Sequence, residues 1–343
     1  MDRACNLNHC SGQAGVGNHS PLSVVAVIMT TTESVVANAF GGPEVLTVIE
    51  EALPDPGPGQ VLLELRAVGV NPIDHKLYSG AFGADASMLP IRPGVEASGV
   101  VLAVGPAAVG PAGPIAVGDE VIAYAGAGAY TRRLVLGAES VFPRPQALTW
   151  EQSAGLLVTG GTAAEAIVVT GVIEGETLLI HGAAGGVGSL AVQLAVAKGV
   201  TVIGTAAAAN HDYLRGLGAI PVTYGDGLEA RVRELAPNGV DAAFDTAGTD
   251  EAVDVSLALV SDRKRIVTIV SFGRAQGEGF VAIGGGNPDS VGLREAGRLG
   301  LIETAARGEL EVVVAKTFPL AEAARAHAEL QRPHPRGKFI LIP

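Results

Sequence analysis

The sequence predicts an α/β protein in which a doubly wound parallel sheet is joined to a smaller, mostly β unit. Three observations support this fold class. Residues 177–199 read as a strand, a glycine-rich turn and a helix. Short apolar runs alternate with helix-like segments over residues 176–270, and short strands broken by Gly and Pro fill residues 34–145. Alternating strands and helices are typical of a parallel sheet, whereas repeated short strands with turn signals indicate a barrel-like β unit.

Length and composition favour an acidic protein of two domains. The chain has 343 residues, 48 % of them hydrophobic, and a formal net charge of −12. This charge argues against nucleic-acid and anionic-membrane partners, because phosphate groups attract basic surfaces. The only cysteines, Cys5 and Cys10, leave the main body without a disulfide framework. No apolar run reaches membrane-spanning length and no signal-peptide layout is present, so we expect a cytoplasmic protein.

Residues 1–33 are expected to form a disordered leader. Cys5, His9, Cys10 and His19 are residue types that bind metals, but Cys-x3-His-Cys is not a standard zinc spacing. We therefore predict no metal site in this segment.

The remaining elements follow from short-range patterns. The predicted strands of the β unit are residues 45–49, 61–65, 99–104, 120–123 and 130–136. Residues 148–167 read as helical, with a glycine break at 159–162. The predicted strands of the parallel sheet are residues 178–180, 201–204, 222–223, 241–244 and 266–270. Two helical stretches at 291–307 and 320–330 and a last strand at 339–342 complete the chain.

The turn after the first parallel strand carries the clearest chemical signal. Read from Ala183 it is A-x-G-x-x-G, a variant of the dinucleotide fingerprint of a Rossmann-type sheet. Small residues are needed there because backbone amides approach a pyrophosphate closely, and the following helix N-terminus adds a partial positive charge. We predict that the cofactor contacts are made by Ala184, Gly185, Gly186, Val187 and Gly188.

Several blocks, in the same order along residues 34–343, resemble one known family. These blocks are GVNPID (69–74), PGVEASG (93–99), VGDEV (117–121), AAGGVG (183–188) with Gln193, FDTAG (244–248) and Gly337-Lys338. The chain resembles the zinc-independent, zeta-crystallin-like quinone oxidoreductase branch of the medium-chain dehydrogenase/reductases. The resemblance implies a GroES-like, mostly β catalytic domain (34–154, returning at 289–343) and an inserted Rossmann domain (155–288). It further implies a cleft for NADPH and substrate, and a homodimer.

The resemblance also implies that the protein works without zinc. The zinc-dependent members carry ligands where this chain has Asn71 and Val95, and their four-cysteine structural lobe is missing here. Without a Lewis acid, simple alcohol oxidation is disfavoured. Hydride addition to an electron-poor, conjugated acceptor needs less polarisation of its carbonyl.

Other site residues are assigned by the same resemblance. Asn71 and Thr162 are expected near the nicotinamide and its ribose. Val270 and Phe272 follow the strand whose carboxyl end passes the nicotinamide. Asp245 either binds the cofactor at the same rim or caps a helix. Lys338 either reaches the cofactor or is a solvated strand lysine.

Cofactor choice depends on the residues after the second parallel strand. An acid there would bind the 2′-hydroxyl of NAD, and a basic residue would bind the 2′-phosphate of NADP. The chain has neither, because residues 206–210 are four alanines and an asparagine, of which Ala206 and Asn210 are expected to contact the cofactor. Tyr224 matches a tyrosine that family members use at the phosphate, and His211 and Arg215 are possible helpers. We expect NADPH.

The proton donor is less well defined by the sequence. Two tyrosines of the family's loop are replaced by Lys76 and Phe82, so the candidate catalytic residues are Asn71, Lys76 and Tyr130. The leading hypothesis is an NADPH-dependent reductase of quinones or α,β-unsaturated carbonyls. A tailoring enzyme of secondary metabolism, either an enoyl reductase or a cyclase, and a non-catalytic dinucleotide-binding protein remain as alternatives.

Overall fold

The computed structural model describes residues 30–284, 287–332 and 335–343. Over these residues the chain forms two large sheets, one mixed and largely antiparallel and the other parallel. The strands of the parallel sheet come between the early and the last strands of the mixed sheet in the sequence. None of the described helices is both long and apolar enough to cross a membrane. Cys5, His9, Cys10 and His19 lie outside the described residues.

The first part of the chain consists mainly of strands. They are β1 (Thr30–Ala37), β2 (Leu46–Leu53), β3 (Gln60–Val70), β4 (Glu96–Val104), β5 (Val109–Gly110), β6 (Gly113–Pro114), β7 (Glu120–Tyr124), β8 (Arg133–Gly137) and β9 (Val141–Pro143). The parallel-sheet region contributes β10 (Thr177–His181), β11 (Thr201–Thr205), β12 (Ile220–Val222), β13 (Ala242–Asp245), β14 (Ile266–Thr268) and β15 (Val281–Ala282). The last strands are β16 (Val314–Pro319) and β17 (Lys338–Ile342).

The helices lie between these strands. They are α1 (Pro72–Tyr78), α2 (Trp150–Ala154), α3 (Leu157–Thr170), α4 (Gly186–Ala197), α5 (His211–Gly216), α6 (Leu228–Leu235), α7 (Asp250–Leu259), α8 (Phe272–Glu278), α9 (Pro288–Ala306) and α10 (Ala323–Leu330). Local signals explain several starts. Thr149 and Gln152 form a reciprocal capping box at α2, and the Thr249 hydroxyl accepts a hydrogen bond from the Ala252 amide at α7.

The parallel sheet has the strand order β12-β11-β10-β13-β14-β15. The chain runs outward from β10 to β11 and β12 and then returns to the other side of β10 at β13. The loop after β10 therefore lies at the switch point of the sheet, where open α/β sheets bind their ligands. One face packs under α3 and α4, and the other under α6, α7 and α8, which gives two apolar layers on either side of the strands.

The mixed sheet brings the end of the chain back to its beginning. Its order is β16-β17-β3-β4-β7-β9, with β8 also paired to β3, and Phe339 of β17 stands opposite Val70 of β3. Lys338 is consequently placed beside Asn71, although 267 positions separate them in sequence.

Two expectations about the elements are wrong, and some elements were not expected. Residues 30–33 of the expected leader belong to β1, because this strand pairs along its length with β2. The helix does not break at 159–162 but at Gly155, and α3 runs through the glycines. A Cβ at Gly160 would lie 2.5 Å from Leu301 Cδ2, so this glycine allows α3 and α9 to pack closely. Elements α8, β15 and β16, which have short or weakly periodic sequences, were not predicted.

Candidate active site

A cavity of about 930 Å³ lies between the two sheets. Loops at the carboxyl ends of β10, β11, β13 and β14 form one wall, and Asn71, α1 and the start of β17 form the other. The structure brings most of the predicted site residues to it: Asn71, Lys76, Ala184, Gly185, Gly186, Val187, Ala206, Asn210, Tyr224, Val270 and Lys338.

The glycine-rich turn forms the floor of the cavity. Gly182 has a φ of +71°, a left-handed conformation that favours glycine, and it turns the chain away from β10. Gly185 is the N-cap of α4, and Gly186 is the first residue of that helix. A Cβ at Gly186 would be 3.5 Å from Thr159 Cγ2 and 3.7 Å from Lys338 Cδ, so it would stand in the cavity without a clash. The N-terminal amides of α4 therefore face open space, which fits a dinucleotide pyrophosphate.

Gly188, the last glycine of the predicted turn, has a packing role. It does not line the cavity, and a Cβ there would lie 2.3 Å from the carbonyl oxygen of Gly182. The missing side chain lets α4 pack directly against the turn. This is the close helix–strand contact that the last glycine of the fingerprint provides.

The opposite wall contains a buried polar cluster of Asn71, Glu96 and Lys338, whose exposed fractions are 1 %, 0 % and 6 %. Lys338 Nζ donates to the Asn71 side-chain oxygen, to Glu96 Oε1 at 3.2 Å and to the Val70 carbonyl at 3.1 Å. Asn71 Nδ2 donates to Glu96 Oε1 at 3.1 Å, and the Val158 amide donates to Glu96 Oε2 at 2.9 Å. The carboxamide of Asn71 is thus held in one orientation at the cavity wall. Lys338 is not a solvated strand lysine.

Tyr130, a predicted catalytic residue, does not line the cavity. It is 1 % exposed, and its hydroxyl bonds His327 Nε2 at 2.8 Å and Asp74 Oδ2 at 3.3 Å. His327 Nδ1 bonds the Tyr78 hydroxyl at 2.7 Å. Burial raises the pKa of Tyr130 well above its usual range and lowers that of His327 to about 4. These groups form a neutral hydrogen-bonded core cluster that supports α1.

Asp74 connects that core cluster to the site. Its carboxylate accepts hydrogen bonds from the Asn71 amide at 2.8 Å and from the Gly94 amide at 3.0 Å. Burial raises the pKa of Asp74 to about 7, against the opposing effect of those amides. The side chain fixes the turn that presents Asn71, since it bonds both the backbone of Asn71 and the PGVEASG block.

Three further predicted residues lie outside the cavity lining. The Thr162 hydroxyl donates to the Val158 carbonyl at 2.7 Å, and Thr159, one helical turn earlier, faces the cavity instead. Both oxygens of Asp245 are used inside the protein, by the amides of residues 247 and 248 and by the hydroxyls of residues 268 and 271. Asp245 therefore joins two loops. Phe272 begins α8 and is exposed to solvent, whereas Val270 reaches the cavity.

His181, at the end of β10, lines the cavity and was not predicted. It is 1 % exposed, and its Nε2 has no hydrogen-bond partner among the described residues. Burial lowers the pKa of His181 to about 4, with Asp245 opposing the shift, so the imidazole is neutral near pH 7. Its apolar neighbours in β10 gave no local signal of a site.

The far end of the cavity combines loops from both sheets. Ala206, Ala207 and Asn210 follow β11, and Tyr224 follows β12. Arg336, from the segment that enters β17, reaches the same end. Glu251 of α7 also lines it and accepts a hydrogen bond from the Gly225 amide at 2.9 Å. Sequence reasoning missed Glu251 and Arg336, because neither residue is near β11 in the chain.

Lys76 of α1 is half-buried and lines the near end of the cavity, close in sequence to Asn71. Among the described residues it has no carboxylate within ion-pair distance, and no group of three or more His, Cys, Asp or Glu side chains is arranged to hold a metal ion. Lys76 therefore lines this wall without an ion-pair partner among the described residues.

The chain matches two family models. The alcohol dehydrogenase GroES-like domain matches residues 57–174, and the zinc-binding dehydrogenase domain matches residues 217–341. A quinone oxidoreductase of Pseudomonas aeruginosa is 34 % identical over 330 residues, which cover 89 % of this chain and 98 % of that protein.

Solved structures share this fold over most of the chain. A mycobacterial protein solved in complex with NADPH is 30 % identical, with a TM-score of 0.76 over 91 % of this chain and 100 % of that one. A protein described as an NAD-dependent alcohol dehydrogenase is 27 % identical, with a TM-score of 0.79 over 91 % of this chain and 99 % of that one. The two relatives differ in the cofactor that their descriptions name.

Proposed function

The chain belongs to the quinone oxidoreductases of the medium-chain dehydrogenase/reductase superfamily, and on this basis we propose that it transfers a hydride from NADPH to a quinone or an α,β-unsaturated carbonyl without zinc. The main supporting observation is the cavity in which the N-terminus of α4 faces the Asn71–Glu96–Lys338 cluster. A dinucleotide fits between these walls, because the helix terminus suits its pyrophosphate and the buried cluster presents fixed polar groups to its reactive half.

Each wall has a defined part in the proposed reaction. Gly185, Gly186 and Val187 bind the pyrophosphate through backbone amides, and Thr159 and Val270 enclose the nicotinamide half. Lys338 neutralises Glu96 and fixes the carboxamide of Asn71, so the cavity wall does not reorganise during the reaction. NADPH supplies the hydride when it is bound. The cavity holds the acceptor against the nicotinamide face, which gives the proximity that hydride transfer needs.

The acceptor must also gain a proton. An enone takes the hydride at its β-carbon and the proton at the resulting enolate, and a quinone takes one hydride and one proton to become a hydroquinone. Lys76 is the candidate donor, because it is half-buried at the near end of the cavity and Tyr130 is bound elsewhere. Solvent restores the proton to Lys76 after each turnover.

The proposal of zinc independence is supported by what surrounds Asn71. The Asn71 oxygen accepts a hydrogen bond from the ammonium group of Lys338, so a metal ion bound there would lie next to a fixed positive charge. Val95, the second ligand position of the zinc-dependent members, is a buried aliphatic side chain. The positive charge of the Lys338 ammonium group would repel a divalent metal ion at the same place.

Purified protein tests the proposal. Oxidation of NADPH should be seen with a panel of small quinones and enones, and Lys76→Met should lower kcat on enones at least several-fold while leaving NADPH binding unchanged. Lys198→Met, at the exposed end of α4, is the matched control and should change neither. Tight NADPH binding with no turnover on any acceptor would contradict the proposal and favour a non-catalytic binding protein. A cytoplasmic location and a homodimer are also part of the proposal. Sedimentation of the purified protein tests the homodimer.

A further inference from the structure

The segment after β11 contributes no basic residue to the far end of the cavity, although this is where a Rossmann-type sheet that binds NADP commonly supplies one. The segment after β11 contributes Ala206, Ala207 and Asn210 to the lining, none of which is charged. His211 Nε2 lies 3.4 Å from the Ala206 carbonyl, outside the lining, and Arg215 is paired with Asp212 at 2.6 Å. Both helpers that the sequence suggested are therefore engaged away from the cavity.

Arg336 fills that place from the other side of the cleft. It precedes β17, lines the cavity, and its Nη1 donates to Asn210 Oδ1 at 3.0 Å. Its guanidinium lies 4.0 Å from the ring centroid of Tyr213 in α5. No carboxylate in residues 30–284, 287–332 and 335–343 lies within ion-pair distance of it. The guanidinium is therefore positioned by neutral partners, and its charge and remaining N–H groups stay available to a ligand.

We propose that Arg336 is the residue that recognises the 2′-phosphate of NADPH, so that cofactor preference is set by the segment entering β17 and not by the loop after β11. This inference rests on the proposed function, because it assigns the phosphate end of the same cofactor site. The carboxyl end of β11 is where a Rossmann-type sheet places the adenine ribose, and Asn210 holds Arg336 against that end. A guanidinium matches a phosphate through two parallel hydrogen bonds.

Glu251 makes the contribution of Arg336 more important. It faces the same cavity from α7, next to Tyr224, and its Oε2 is occupied by the Gly225 amide. A carboxylate here opposes a second negative group, so binding of the phosphate needs a cation to outweigh it. Removing the carboxylate and removing the guanidinium should consequently have opposite effects on the same ligand.

The test uses fragments that carry only the adenosine end of the cofactor. Calorimetric titrations compare 2′,5′-ADP with ADP, which lacks the 2′-phosphate, on the wild type and on Arg336→Gln. Loss of a charge-assisted pair should weaken 2′,5′-ADP about tenfold or more and ADP less than about twofold. Arg336→Lys should retain part of the preference, since it keeps the charge but not the fork. Glu251→Gln should tighten 2′,5′-ADP.

Arg332→Gln is the matched control, because Arg332 is exposed and lies outside the cavity lining. It should leave both dissociation constants unchanged. Equal weakening of the two fragments by Arg336→Gln, or no weakening of either, would overturn the assignment of Arg336 while the wild type still binds and oxidises NADPH. Failure of the wild type to bind NADPH, NADH or either fragment would overturn the proposed function and this inference together.

Discussion

Replacing Lys338 by methionine tests whether the buried cluster at the cavity wall holds the fold as well as the site. Methionine has nearly the length of lysine but carries no charge. Lys338→Met removes three donated hydrogen bonds and leaves the Glu96 carboxylate at 0 % exposure, with only Asn71 Nδ2 and the Val158 amide as donors. The variant therefore buries an uncompensated negative charge.

The expected cost follows from that burial. Breaking a buried ion pair by removing one partner destabilises a protein by about 3–5 kcal/mol, because the remaining charge keeps its desolvation penalty. The Glu96→Gln/Lys338→Met double variant removes the charge as well. Its free energy of unfolding should be higher than that of Lys338→Met, with an interaction term of about 2 kcal/mol.

Urea unfolding followed by the fluorescence of Trp150, the only tryptophan, measures these changes. Lys316→Met is the matched control. Its ammonium pairs with Glu329 at 2.6 Å, but both side chains are more than a third exposed, so the cost should be at most about 1 kcal/mol. If Lys338→Met cost no more than this control, or if the double variant were simply additive, the cluster would not be the buried ion pair described above.

Four further predictions concern the site and the buried histidines. Gly185→Val should abolish NADPH binding and leave the circular dichroism spectrum unchanged, because the branched valine side chain would occupy the cavity floor. Unchanged NADPH binding in a titration of this variant would contradict the proposed position of the pyrophosphate. Chelators should leave NADPH oxidation unchanged, and loss of activity restored by zinc would refute zinc independence. Ala207→Arg should tighten the binding of NADPH more than that of NADH. Ala209→Arg, at an exposed position outside the cavity lining, should change the binding of neither cofactor. Equal effects of the two substitutions on NADPH binding would contradict the placement of Ala207 in the cavity and Ala209 outside it. Burial lowers the pKa of His181 and of His327 to about 4 and raises that of Asp74 to about 7, so on unfolding between pH 6.5 and 4 the two histidines take up protons while Asp74 releases one. The two histidines outweigh the single carboxyl, and stability should fall as pH falls over this range; a flat urea midpoint would refute it.

The fingerprint shows how much of the site the sequence could predict. Strand β10, the turn and α4 are contiguous in the chain, and their apolar periodicity and small residues specify the backbone directly. The predicted residues Ala184 to Val187 accordingly lie on the cavity floor. The family blocks correctly identified the parallel sheet and the GroES-like part, since each block is a local turn or strand end.

Side chains whose role depends on distant partners were predicted less well. Tyr130 was predicted as a catalytic residue, but its hydroxyl is hydrogen-bonded to His327, which is 197 positions away in the sequence. Asp245 was expected either to bind the cofactor at the sheet rim or to cap a helix, but both of its oxygens accept hydrogen bonds from two loops. A local pattern contains the identity of a side chain and the conformation of its backbone, but it does not contain the groups that compete for its hydrogen bonds.

The sequence by itself determined the fold class and the glycine-rich turn of the dinucleotide fingerprint, and it has Asn71 and Val95 at the two positions where the zinc-dependent members carry ligands. Only the tertiary structure decided which charges meet. Pairing of β17 with β3 brings Lys338 within hydrogen-bond distance of Glu96. The same return of the chain brings Arg336 within hydrogen-bond distance of Asn210, which is 126 positions away in the sequence. The physical reason is that sheet register and the closing of the chain end on its beginning are set by packing over the whole molecule, whereas helices, turns and strands are encoded within a few residues.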